Sequence, residues 1–178
     1  GQRAQVTLSD VRIRNISPTP ESFNPGIWGF ADVEFGFGAL LVGGMLELQR
    51  AEVDQATSAG LVAYESKFFC MDPEARTCGD SEMRIEDVKV TGTRPDSQGR
   101  MGMGLAAIDG ASISASRVLA DQNHTAGVLV VNNFRSIDGT ETNESRAAFS
   151  DITVTNTQNS LGVDDIEFGD GIAVVNGA

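Results

Sequence analysis

Basic residues are scarce in this sequence. Lysine and arginine total 13 against 25 aspartates and glutamates, a formal charge of −12, so a nucleic-acid backbone or an anionic membrane surface would be repelled. Long apolar runs are missing too. None is longer than Ala39-Leu40-Leu41-Val42, far short of the roughly 20 residues that cross a bilayer. Histidine occurs once, as His124, and cysteine twice, as Cys70 and Cys78. The MDPEART stretch between the cysteines offers no histidine and no second cysteine pair, which argues against zinc. A loop-closing disulfide between Cys70 and Cys78 is the expectation, with two thiols as the alternative. The disulfide implies an oxidising location: secreted, periplasmic or cell surface. Gly1 in place of methionine fits a processed mature segment. Asn15-Ile16-Ser17, Asn123-His124-Thr125 and Asn143-Glu144-Ser145 match the glycosylation acceptor pattern, a triplet that also arises by chance.

With 178 residues the chain suits one domain, and within it a pattern recurs. The stretch from Leu8 to Asn15 returns as Leu48 to Gln55, Ile85 to Gly92, Ile113 to Ala120 and Phe149 to Asn156. In each copy a large apolar residue is followed three places later by a small or β-branched one, and two later by Val or Ile. The last two positions alternate with polar residues, the period of a half-buried strand, and the three-residue step before them implies a bend. A second apolar run follows each copy, opened by Gly38, Gly60, Gly104, Gly127 and Gly171. Two strand signals in constant order, separated by spacers of unequal length, suit a chain that winds and pairs its turns in parallel. Asn-Gly hairpin signals between the paired runs would argue for a meander, and they are missing there. An antiparallel β-sandwich is the structural alternative.

The Φ-x-x-Φ-x-Φ-x-N strand followed by G-Φ-x-Φ-x-N-G resembles the repeats of right-handed parallel β-helix proteins, the superfamily of pectate lyases, polygalacturonases and many bacterial surface proteins. The resemblance runs from about Val6 to Ala178. It implies an all-β fold, a right-handed parallel β-helix solenoid of about five coils with long loop insertions, forming a single domain over 1–178 that is a segment of a longer solenoid or extracellular protein. It also implies stacked amides at the strand ends, Asn15, Gln55, Asn156 and Asn176, interrupted by Gly92 and Ala120. This architecture carries many activities, so it does not specify one.

Chemistry is sparse. Asp164, Asp165, Glu167 and Asp170 crowd one stretch and could hold Ca²⁺, which accepts irregular sets of oxygens. A solvated acidic loop is the plainer expectation, so no cofactor is required. Asp164 and Asp165 also resemble the paired aspartates of polygalacturonases, which protonate a leaving oxygen and activate water. The family's Asn-Thr-Asp, Gly-His-Gly and Arg-Ile-Lys segments have no counterpart here. His124 lies in a polar turn with no Gly-x-Ser-x-Gly elbow to form a triad. The arginines that a lyase would need, Arg94, Arg100, Arg135 and Arg146, bracket two separate loops.

Two insertions carry unusual aromatic content: Trp28 and Phe30 in one, Phe68 and Phe69 beside the cysteines in the other. They either fold over the flank or form a platform for a sugar ring or a protein. The function expected is a non-catalytic extracellular or surface module, a rigid scaffold or a binding surface for protein or glycan. A polysaccharide lyase or glycoside hydrolase is the alternative, and ice binding through Thr153-Val154-Thr155 a remote third. Nucleic acid and membrane insertion are excluded as partners. The strand Gly171 to Val175 has no successor, so a further coil or a neighbouring molecule is expected to cover it, by end-to-end or edge self-association.

Overall fold

The computed structural model describes residues 4–18, 36–65, 80–132, 144–161 and 167–175, and among them the chain is all β with no helix. The strands are β1 (Gln5–Ser9), β2 (Arg12–Arg14), β3 (Ala39–Val42), β4 (Gly44–Asp54), β5 (Ala59–Tyr64), β6 (Ser81–Thr91), β7 (Met103–Ile108), β8 (Ser112–Asp121), β9 (Thr125–Val131), β10 (Arg146–Thr155), β11 (Ser160–Leu161) and β12 (Glu167–Val175). They form two sheets between which the chain alternates. One runs β1-β4-β6-β8-β10, with β2 also on β4; the other runs β11-β12-β9-β7-β5-β3. Every ladder is parallel except the short β11–β12 pair at one edge. Parallel neighbours cannot be joined by a hairpin. Here each return passes through the other sheet. A third column of single bridges, Thr57 to Arg94 and His124 to Gln158, follows the end of the first sheet's strands.

The bend expected from the three-residue step is present, and it has one backbone cause. Asp10, Arg50, Asp87, Arg117 and Asp151 occupy equivalent places and all have positive φ, between 51° and 57°. A left-handed residue breaks the alternation, so two successive side chains point outward before the inward series resumes. A second left-handed position closes each unit at Asn15, Gln55, Gly92, Gln122 and Asn156. Asn and Gly suit that conformation best.

The pairing corrects one detail of the repeat. Ile85 lies beside Ala115, not Ile113, and Ala115 lies beside Phe149. The fourth copy therefore begins two residues later than the apolar pattern suggests, and Gln122 rather than Ala120 takes its closing place. A shift of two moves only Ala115 and Ser116 between faces, and both are small, so hydrophobicity barely detects it.

The two sheets share one core. Leu46, Leu48, Val53, Ile85 and Val90 of the first meet Leu61, Leu105 and Val128 of the second. β5 and β7 are buried on both faces: Val62, Tyr64, Ala106 and Ile108 join a second cluster with Phe37, Val42 and Met103. This is why those strands are near-continuous apolar runs rather than alternating ones.

The glycines that open the second-sheet strands are required by close approach. A Cβ on Gly60 would sit 2.3 Å from Val90 Cγ1 and 2.7 Å from the Gly104 carbonyl oxygen, and one on Gly104 2.5 Å from the Gly127 carbonyl oxygen. Gly60 thus leaves room for the next glycine's backbone and for Val90 of the facing strand, and Gly104 for Gly127 and the buried Asn123 amide. At the end of the column, a Cβ on Gly171 would meet only Val154 Cγ1, at 3.8 Å. Gly60→Ala and Gly104→Ala are expected to cost about 3 kcal/mol each, the upper range of overpacking, while Gly171→Ala stays within about 0.5 kcal/mol. Urea denaturation of the three variants measures this, and equal losses at all three would contradict the stacking argument.

Candidate functional site

The outer face of the first sheet carries a groove of about 470 Å³ that crosses β4, β6, β8 and β10 just before their bends. Outward positions of a strand recur every second residue, and neighbouring strands lie about 4.8 Å apart. The groove is therefore lined by two rows. Glu47, Arg84, Ser114 and Ala148 form one, and Gln49, Glu86, Ser116 and Ser150 the other.

Its two ends differ chemically. Toward β4 and β6 the charges are committed to one another: Arg84 pairs with Glu82 at 2.8 Å and lies 3.7 Å from Glu47, which accepts from the Thr7 hydroxyl at 3.1 Å. Toward β8 and β10 the lining is small and neutral. Ser114, Ser116 and Ser150 make no side-chain hydrogen bond among the described residues, so their hydroxyls face solvent.

The bend residues beside the groove form a column of alternating sign: Asp10, Arg50, Asp87, Arg117, Asp151. Arg50 donates in fork geometry to Asp10, from Nε at 2.8 Å and from Nη2 at 2.7 Å. Arg117 donates likewise to both Asp87 oxygens, and also to Glu86. These hydrogen bonds hold the Asp10 and Asp87 carboxyls below the ordinary carboxylate value and raise both guanidinium groups. At the closing corner Asp121 accepts from Asn156 Nδ2 at 2.9 Å and Thr155 Oγ1 at 2.8 Å, which lowers its pKa as well. Asp54 accepts from Thr91 at 3.0 Å. All of these pairs are at the surface, where single ion pairs contribute little; their role is to keep stacked charges compatible.

Sequence-based candidates are distributed as follows. Trp28, Phe30, Phe68, Phe69, Cys70, Cys78, Asp164 and Asp165 lie outside the described residues, as do Arg135 and Asn176. For Glu167 and Asp170 the backbone is strand rather than loop, with Asp170 paired to Ala126 and exposed on β12. Among the described residues no group of three His, Cys, Asp or Glu side chains could hold a metal ion. His124 sits in the third column, its amide bonded to the carbonyl of Gly102 at 2.9 Å. Burial pushes its imidazole below 6.5, opposed by a hydrogen bond with the Asn159 backbone.

Arg100 is not a surface cation. It is buried against Asp96, Nη2 to Oδ2 2.9 Å, and Asp96 Oδ1 also accepts from the amides of Gln98 and Arg100. Arg146 pairs with Glu144 at 3.5 Å on the surface. Arg100 and Arg146 are thus each held by a carboxylate of their own loop or strand rather than by a common site. The repeat as aligned on its apolar residues shows neither the groove nor the whole column, although four copies carry Asp10, Arg50, Asp87 and Asp151 at one position. The slip in the fourth copy hid Arg117.

The chain matches no family model, no curated protein and no solved structure.

Two measurements check this electrostatic account. His124 is depressed when folded, so the unfolded chain protonates first and stability falls as pH drops below 6.5. The depressed Asp10, Asp87 and Asp121 stabilise above their ordinary 3.8 and lose that contribution as pH falls through their folded values. Thermal melts against pH are expected to show two declines on acidification, and His124→Asn to abolish the first alone. In a separate test, Arg100→Ala strands the buried Asp96 carboxylate and is expected to cost about 3 kcal/mol, whereas the paired change Asp96→Asn with Arg100→Met recovers most of it.

Proposed function

We propose that this chain is a rigid, non-catalytic module of the extracellular or cell-surface kind, built as a right-handed parallel β-helix, that binds an extended neutral glycan in the groove before the bends. The parallel strands, the alternation between sheets and the closing left-handed amides support the β-helix. In that architecture the two sheets and the single-bridge column are three walls of one coil. A disulfide between Cys70 and Cys78 suits the location.

One observation carries the binding half of the proposal: the groove crosses four strands and, among the described residues, its hydroxyls, those of Ser114, Ser116 and Ser150, have no partner. Rows of small hydroxyls at strand spacing match a polymer that presents hydroxyls along its length. The net charge of −12 disfavours acidic polysaccharides and leaves neutral ones favoured. Catalysis would require an acid and a base with separated proton affinities in one place. The groove carboxylates Glu47 and Glu86 instead accept hydrogen bonds from Thr7 and Arg117.

Neutral glucans, galactans and mannans, titrated against the chain, are the direct test. Binding of at least one is expected, weakened about tenfold or more when Ser116→Trp fills the groove, with no new reducing ends after prolonged incubation with or without Ca²⁺. Release of cleaved product would overturn the non-catalytic half, and binding indifferent to Ser116→Trp would overturn the groove.

A further inference from the structure

The alternating column has a direction. Arg50 on β4 reaches to Asp10, which precedes it in the sheet, and Arg117 on β8 reaches to Asp87 on the preceding β6. Each aspartate of the column is therefore matched by an arginine one strand further along. Asp151 holds the same left-handed place on β10, with φ 54°. It is the last of the series among the described residues, and no arginine follows it.

The surroundings of Asp151 are an open edge. β10 ends its sheet, so its side away from β8 has no strand partner among the described residues. Next to it, Ile172 and Val174 of β12 are 51% and 60% exposed, although the residues they stack on, Val128 and Val130, are buried. Between the two strands an apolar cavity of about 690 Å³ opens, with Phe149 and Ala147 on one wall and Ile172 and Val174 on the other. This end thus presents strand edge, apolar floor and one unmatched carboxylate together.

We infer that this end is a docking surface for a parallel strand pair of the same bent kind that carries a cation at its left-handed position, opposite Asp151. The bend selects the shape: a straight strand that paired with Arg146 to Ser150 would diverge from the edge beyond Asp151. The carboxylate selects the charge. Head-to-tail stacking of a second copy through the described residues is disfavoured, because it would place β1 on β10 and Asp10 on Asp151, and like charges directly opposite in a ladder repel. An exposed edge of this kind would otherwise invite self-assembly.

The test uses a peptide of the chain's own residues Ser112 to Val131, which spans β8 and β9 and carries Arg117 at the bend, and a second peptide with Arg117→Asp. Hydrogen exchange at β10 and β12 and calorimetric titration at low salt are the readouts. The first peptide is expected to slow exchange at both strands and to bind about five- to tenfold tighter than the second. The preference should invert on the Asp151→Arg chain and disappear on Asp151→Asn, a variant that keeps the question answerable if the reversal does not fold. Protection by neither peptide, equal affinity for both, or head-to-tail association of the native chain at neutral pH would overturn the inference.

Discussion

Parallel, in-register stacking is the constraint from which the other features follow. When each strand lies on its equivalent, a residue's nearest neighbours in the ladder are its own counterparts in the repeats before and after. Apolar residues can stack on apolar ones indefinitely, and so can glycines and amides. Charged residues cannot. The columns reflect this: Leu48 on Ile85, Gly60 on Gly104, Val53 on Val90, but Asp10 on Arg50 on Asp87 on Arg117. The same constraint explains the glycines. From Gly38 to Gly127 their carbonyl contacts, 2.5 to 2.8 Å from an added Cβ, come from the next glycine, so each is held by its neighbour rather than by a turn of its own.

Much of this was readable from the residues. The glycine-opened runs marked the second-sheet strands, and the three-residue step marked the bend, because an extra residue in the strand, here a left-handed one, advances the inward face by three. What stayed hidden was hidden for physical reasons. Ile113 and Ala115 share a face, so the apolar pattern fits either register, and only the turn residues, Arg117 and Gln122, tell them apart. The groove is made by residues 30 or more positions apart, and at its neutral end Ser114, Ala148 and Ser150 carry no mark in a sequence. Conversely, the aromatic insertions drew notice because bulky side chains are conspicuous in polar surroundings, which concerns composition and not position.

Charge in this molecule is largely structural. Arg50, Arg117, Arg84 and Arg14 all close onto carboxylates of their own or neighbouring strands, and Arg100 is buried in its own loop with Asp96. An acidic chain with its arginines so engaged keeps a negative exterior toward solvent while avoiding repulsion within its ladders. The serine-lined end of the groove stands apart from these networks. Its neutrality distinguishes it from the rest of the face, and it does not arise from any need of the fold.

The two-strand rhythm of the bend column also bears on how such a chain can grow or shrink. Losing or duplicating one repeat would set aspartate on aspartate or arginine on arginine at the junction, whereas doing so with two leaves every contact matched. Even-numbered steps are therefore the changes in length that keep the column matched, so the column carries a parity of two repeats.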